Sequence, residues 1–342
     1  MSAMSDSLPD RMREKPDVSV VVPVYNAEPT LPELIERLHS VLAVCSRRFE
    51  IVLVNDGSSD ESWRVIRELA QKHAWVRGIS LARNYGQHNA LLCGIRAARY
   101  ETMVTLDDDL QNPPEEIPKL LEQLAKGYDV VYGVPQQAQH GLMRGLASQI
   151  TKLVLRNAMG AEIARNVSAF RALRKRVCMA FQHFQGSFVC LDVLLTWGTT
   201  RFAAVRVRQE PRVTGVSGYS VGRLITHASN MITGFSVLPL QVANIVGFAF
   251  TFFGFLILMY VVGRYFLQGS PVPGFPFLAS MIAIFSGAQL FALGVIGEYL
   301  ARMHFRTMER PTYALHDTTF SQETTTSGLP TNASPSTISD EN

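Results

Sequence analysis

Short apolar runs and segments of helical spacing alternate along the first two-thirds of the chain, each run ending in a polar cluster. VSVVVPVY, from Val18, is an almost unbroken β-branched run, the pattern of a strand covered on both faces. Leu34, Leu38, Val41 and Leu42 give residues 31–45 the spacing of an amphipathic helix. FEIVLVNDGSSD predicts a second strand ending in a turn, with Ser and Asp suited to cap a following helix. The same reasoning predicts strands at 76–81, 102–106 and 129–132 and helices at 87–98 and 114–126. Val205 and Val207, alternating with Arg206 and Arg208, predict one more strand, half-buried. Strands and helices alternating at this spacing predict an α/β domain with a mostly parallel sheet over residues 18–220.

Beyond that domain the pattern changes. Residues 221–236 (VGRLITHASNMITGFS) predict an amphipathic helix lying along a membrane surface. Charged residues are then absent from 228–263 and again from 265–297, and each stretch exceeds the ~20 residues that cross a bilayer. Two transmembrane helices are expected within 237–300, at about 242–263 and 275–299. Arg264 is the only charge in the connection between them, whereas Arg302, Arg306 and Arg310 follow the second. The positive-inside rule therefore puts both termini and the α/β domain in the cytoplasm. The first 17 residues lack the apolar core of a signal peptide and are expected to be disordered. A cytoplasmic segment is expected at 301–317, and a disordered Ser/Thr-rich tail at 318–342.

The bulk numbers add little to this picture. A net charge of +3 over 342 residues gives no reason to expect a nucleic-acid partner. Cys45, Cys93, Cys178 and Cys190 form no CxxC pair and are read as reduced packing residues.

The chemistry gathers at the strand ends. In a parallel sheet ligands bind beyond the carboxyl ends of the strands. The clusters there are Pro23-Val24-Tyr25-Asn26, Asn55-Asp56-Gly57-Ser58, Arg83-Asn84-Tyr85-Gly86-Gln87 and Asp107-Asp108-Asp109. Alternate residues of an extended chain point the same way, so Asp107, Asp109 and Gln111 present oxygens on one side. Such ligands suit Mg²⁺ or Mn²⁺ bridging to a diphosphate.

Taken together, VSVVVPVYN, VNDGSSD, RNYGQHNAL and TLDDDLQNPPEEIP resemble the family 2 glycosyltransferases of GT-A fold, a Rossmann-like, mostly parallel sheet. The resemblance runs over about residues 18–312. It is specifically to the polyprenyl-phosphate branch: dolichol-phosphate mannose synthases, bactoprenol glucosyltransferases and undecaprenyl-phosphate formamido-arabinose transferases. NYGQH and LQNPPEEIP are most similar to the last of these. The resemblance implies that Pro23, Tyr25, Asn26 and Glu28 line the nucleotide pocket and that Asp56 binds base or ribose. It implies that Arg83, Gln87 and Asp108 also face the nucleotide-sugar, and that Asp107, Asp109 and Gln111 hold the metal. The motif usually read R-x-x-G-x-S-K-Y appears here as Arg212, Gly215, Ser217, Gly218 and Tyr219, with Gly in place of Lys. With Arg206 and Arg208, the residues Arg212, Ser217 and Tyr219 are expected to meet a lipid phosphate, Arg212 and Ser217 also serving catalysis. Arg165 and Asn166 stand where some relatives carry an Asp proposed as general base, and neither can do that work.

The resemblance implies inverting transfer of a sugar from a UDP-linked donor to undecaprenyl phosphate at the bacterial inner membrane, by a homo-oligomer embedded among membrane lipids. His88 is read as a hydrogen-bonding helix residue. A processive polysaccharide synthase and a non-catalytic, membrane-tethered nucleotide-sugar-binding protein are the alternatives. The first lacks its Q-x-x-R-W signature here; the second is opposed by the intact acidic set.

Overall fold

A computed structural model describes residues 15–136, 167–186, 189–210, 238–268, 274–308 and 311–320. Eight strands form one sheet in the order β7-β5-β6-β4-β1-β2-β3-β8. These are β1 (Val18–Val24), β2 (Phe49–Asn55), β3 (Val76–Leu81), β4 (Thr102–Thr105), β5 (Val130–Pro135), β6 (Arg171–Arg174), β7 (Phe202–Val207) and β8 (Leu315–Thr318). β1 pairs in parallel with β2 and β4, β2 with β3, and β5 with β7. β6, wedged between β4 and β5, and β8, on the β3 edge, run antiparallel.

Every residue of β1 is buried, because helices cover both faces of the sheet. Val18, Val20, Val22 and Val24 enter one core with α1 (Leu31–Cys45), Ile66 of α2 (Ser62–Lys72) and α4 (Ile117–Ala125). Val21 enters the other, with α3 (Gln87–Ala97), α5 (Lys175–Cys178) and α6 (Leu191–Gly198). The period of two along the strand thus sorts its side chains between two cores.

The chain winds from β1 through β2 to β3 in one direction, then returns to β4 on the other side of β1. β1 and β4 therefore flank a topological switch point, where a crevice opens. The β1–β4 ladder ends at Val21–Thr105, two residues before Pro23, so the proline sits where that neighbour no longer needs its missing N–H.

Two long helices follow, α7 (Leu238–Gln268) and α8 (Phe275–Thr307). Their most apolar windows are Leu240–Ile257 and Ile284–Ala301, of mean hydropathy 1.9 and 1.4, and only 6% and 0% of each is buried. A soluble core helix would hide such a surface; here Phe248 is 75% and Phe266 81% exposed. The helices pack on each other, in part through Gly254, where an added Cβ would lie 2.8 Å from Phe285.

Several boundaries differ from expectation. The fifth strand runs to Pro135, and the helix at 114 opens with a 3₁₀ turn (Pro114–Glu116). β6 and β8 were not anticipated. Thr318 to Phe320, assigned to the tail by composition, lie against the sheet: Gly78 N–H donates to the Thr319 side-chain Oγ1, Thr319 N–H donates to Gly78 O, and Phe320 packs over the Arg77 guanidinium. The expected interfacial helix at 221–236 lies outside the described residues, as do Arg165, Asn166, Arg212, Ser217 and Tyr219.

Candidate active site

Four loops meet over the switch point, and side chains knit them together. Asn26 adopts a left-handed φ of 52°, tolerable for Asn, and its Oδ1 accepts from Ser59 N–H at 2.8 Å. Its own N–H donates to Ser58 Oγ, and Ala27 N–H donates to Ser62 Oγ. Gly57, at φ 65°, permits the closest approach: a Cβ there would sit 2.4 Å from the Arg83 carbonyl carbon. Beside it the buried Asp56 carboxylate accepts from Tyr85 N–H at 2.7 Å and Gly86 N–H at 2.8 Å. Burial raises the Asp56 pKa, and the two amide donors partly offset that rise.

Asp108 bridges the crevice from the β4 side. Its Oδ2 accepts from Tyr25 N–H at 3.0 Å, and its carbonyl accepts from Thr30 Oγ1 at 2.8 Å. Asp107 and Asp109 turn elsewhere, half-buried: Gln87 Nε2 donates to Asp107 Oδ1, and Gln111 N–H donates to Asp109 Oδ1. Leu110, just past the three acids, takes φ 59° and is buried, so the turn between Asp109 and Gln111 is anchored in the core. A mouth of carboxylate and amide oxygens is the donor set of a hard divalent cation.

The expected nucleotide-site residues thus divide. Tyr25, half-exposed at 51%, and Pro23 lie at the crevice. Asp56, Asn26 and Asp108 are there too, but each spends oxygens on neighbouring loops. Glu28 points its carboxylate toward Arg64 of α2, 3.9 Å away. Arg83 is exposed, its guanidinium over the Tyr85 ring at 4.6 Å. Arg206 and Arg208 stand exposed at the end of β7, with Arg206 donating to Gln136 O at 3.4 Å.

One constellation escaped the sequence reading. Arg171, fully buried at the start of β6, pairs with Asp192 of α6, whose Oδ1 also accepts from Tyr132 Oη at 3.0 Å. His88 closes over this pair; its Nδ1 accepts from Leu191 N–H at 3.3 Å, and its ligand atom lies within 4.8 Å of those of Cys190 and Asp192. Burial pushes the Cys190 thiol up to about 12. With Asp192 committed to Arg171 and Tyr132, the group is a buried polar brace behind Gln87. The available signal was a charge inside an apolar run: Arg171 in SAFRALR and Asp192 in VCLDVLL.

A doubly covered, mostly parallel sheet with an acid-rich crevice at its switch point is the framework of a nucleotide-sugar glycosyltransferase, and this chain belongs to glycosyl transferase family 2, whose profile matches residues 19–180. Within that family it is similar to the undecaprenyl-phosphate 4-deoxy-4-formamido-L-arabinose transferase of Pectobacterium carotovorum subsp. carotovorum, with 35% identity over 88% of this chain and 93% of the relative. The Pseudomonas aeruginosa transferase of the same description is also 35% identical, over 86% and 88%. Among solved structures, glucosyl-3-phosphoglycerate synthase from Mycobacterium tuberculosis aligns distantly, at TM-score 0.49 and 18% identity over 64% of this chain and 78% of that one.

Proposed function

We propose that this glycosyltransferase moves a sugar from a UDP-linked donor onto a polyprenyl phosphate, with a divalent cation and inversion, at the cytoplasmic face of a bacterial inner membrane. The observation that carries the reading is where the sheet connects to the apolar helices. β7 runs parallel to β5 and leaves from the carboxyl end of the sheet; β8 is antiparallel to β3 and enters from that same end. Both links to α7 and α8 therefore begin at the carboxyl end of the sheet, the end at which the crevice opens, and this supports an acid cluster turned toward the plane where a lipid headgroup lies. Because β8 rejoins the sheet after two spans, the segments before and after the hairpin share one side. Arg302 and Arg306 in the last turns of α8 favour the cytoplasm for that side. The printed activity of the relatives agrees with this acceptor.

In the reaction, a lipid phosphate oxygen attacks the anomeric carbon while the bond to the diphosphate breaks and its electron pair leaves with the diphosphate. A divalent cation, when held by Asp107, Asp109 and Gln111, supplies charge neutralisation for that leaving group. Asp108 keeps the Tyr25 loop against the acid cluster, and Gln87 orients Asp107. Asp56 fixes the Tyr85–Gly86 loop beneath the donor. Arg206 and Arg208 attract the lipid phosphate. A monoester with a second pKa near ~6 is already ionised in the cytosol, so no side-chain base is needed.

Purified protein given undecaprenyl phosphate and labelled UDP-4-deoxy-4-formamido-L-arabinose, then UDP-glucose and GDP-mannose, is expected to carry label into a butanol-soluble lipid with one donor. Nucleotide-sugar hydrolysis alone, or growth of a polymer, overturns the reading. Cysteines placed singly at Ser270 and Ser321, in a background without native Cys, test the topology. Labelling of Ser321→Cys by an impermeant reagent from outside the cell overturns the cytoplasmic placement.

A further inference from the structure

The end of β7 is fastened to the Asp107–Gln111 loop with the help of Arg37, Glu115 and Glu210, side chains that the proposed reaction does not use. Past Val207, Glu210 N–H donates to the Gln111 carbonyl at 2.9 Å. Gln111 is the residue whose own N–H donates to Asp109, so a single residue links the departing strand to the acid cluster. Arg37, from α1, clamps the same place. Its Nε and Nη2 donate to both oxygens of Glu115, at 3.0 and 2.8 Å, and its Nη1 lies 3.4 Å from Glu210. Arg208 Nη2 lies 3.5 Å from Glu210 Oε1. Arg37 is about one-fifth exposed, so its ion pairs are screened less than free surface pairs. Its hydrogen bonds hold the Glu115 carboxyl below the usual range.

We infer that Arg37, with Glu115 and Glu210, is a positioning group that sets the arginine pair Arg206 and Arg208 at a fixed reach from the Asp107–Gln111 loop, and so controls how an anionic acceptor headgroup is presented to the donor. Arg37 touches neither donor nor acceptor; it acts through Glu210. Its planar fork is what lets one residue grip α1, the 3₁₀ turn and the β7 exit together, a geometry lysine lacks. The inference deepens the reading given under Proposed function and rests on it for the identity of the acceptor.

The test uses full-length protein in lipid nanodiscs, with Arg37→Ala, Glu210→Gln, the double variant and Arg37→Lys. The KM for undecaprenyl phosphate is expected to rise about fivefold in either single variant, the scale of a partly exposed ion-pair cluster. The kcat and the affinity for UDP with Mn²⁺ should stay within about twofold. The double variant should match a single one, and Arg37→Lys should recover only part of the loss. An unchanged acceptor KM, additive losses, or UDP affinity falling in step with acceptor KM overturns the inference, the last because it marks general damage to the fold. Should the unaltered protein transfer nothing to a polyprenyl phosphate, the proposed function falls separately, and hydrogen exchange decides this point. Faster exchange at 206–210 in Arg37→Ala, with 49–55 unaffected, sustains the clamp; unchanged exchange at 206–210 sinks it.

Discussion

The crevice beside β1 and the exit of β7 are built from different materials. Around the crevice, short side chains of Asn26, Ser58, Ser62, Asp56 and Asp108 bond to backbone amides of neighbouring loops, with Ser62 and Asp56 buried. At the β7 exit, long side chains of Arg37, Glu115, Arg208 and Glu210 meet as ion pairs in contact with water. Buried side-chain-to-backbone bonds fix geometry and are barely touched by salt; solvated pairs are weaker, adjustable and screened. On the proposed reading, the region that would hold the leaving diphosphate is the more rigid of the two, and the region that would meet a lipid headgroup is the more adjustable.

Changes on the crevice side should therefore cost most. Asp109→Asn is expected to cut turnover by orders of magnitude, at least about 10²-fold, in a protein that still folds and inserts. Undiminished activity of the unaltered enzyme in EDTA would remove the divalent cation from the mechanism.

Next comes Asp56→Ala, which orphans the Tyr85 and Gly86 amides at about 1–3 kcal/mol each. A lowered melting temperature together with weakened UDP binding checks it, and Asp56→Asn, keeping one acceptor oxygen, should fall between.

Salt separates the two regions more gently. Raising KCl from 50 to 500 mM should increase the acceptor KM by about two- to fivefold and leave the donor KM nearly level. Equal sensitivity of the two would erase the contrast.

Acid acts on them with opposite sign. The Asp56 pKa is raised in the fold, so its contribution to stability is largest below the unfolded value of 3.8 and declines as pH rises through the folded value. Glu115 is depressed by Arg37, so its contribution is present above 4.5 and is lost as pH falls through the folded value. Unfolding measured from pH 6 to 3 should show Arg37→Ala losing its stability deficit at the acid end while Asp56→Asn grows worse relative to the parent.

The smallest effect belongs to His88→Ala. The acceptor-dependent rate should keep its flat region from about pH 7 to 8.5, at a modestly lower level, because a monoester with pKa ~6 is its own nucleophile. Abolished transfer in a folded, UDP-binding His88→Ala protein would make the imidazole the base.

What was legible followed from periodicity. β1 to β5 and the two apolar helices stand out because unbroken apolar runs have few other places to go. β8 was invisible for a matching reason: LHDT is mostly exposed, its pairing is carried by backbone groups that every residue has, and its partner strand is far away in sequence. The acid cluster was legible as chemistry, but the direction of each oxygen was not. Asp108 reads as a substrate ligand between two identical neighbours, yet its Oδ2 accepts from Tyr25 N–H, across 83 residues that no local spacing connects. Arg37 stands four residues from Glu33 on α1, but its other partners, Glu115 and Glu210, come from remote stretches that no local spacing connects.

The late return of β8 also carries a consequence for the nascent chain. Gly78 waits 241 residues for Thr319, which at ~5–20 residues per second is about 12 to 48 s of ribosome time. Through that interval β3 is an open edge, and the charge of Arg77 upon it, paired with Glu50, guards against wrong partners. On the proposed topology, only a chain whose hairpin has entered the bilayer and come back on the starting side can deliver β8 to that edge. Completion of the sheet would then record correct insertion, and a mis-threaded molecule would keep β3 as a bare edge.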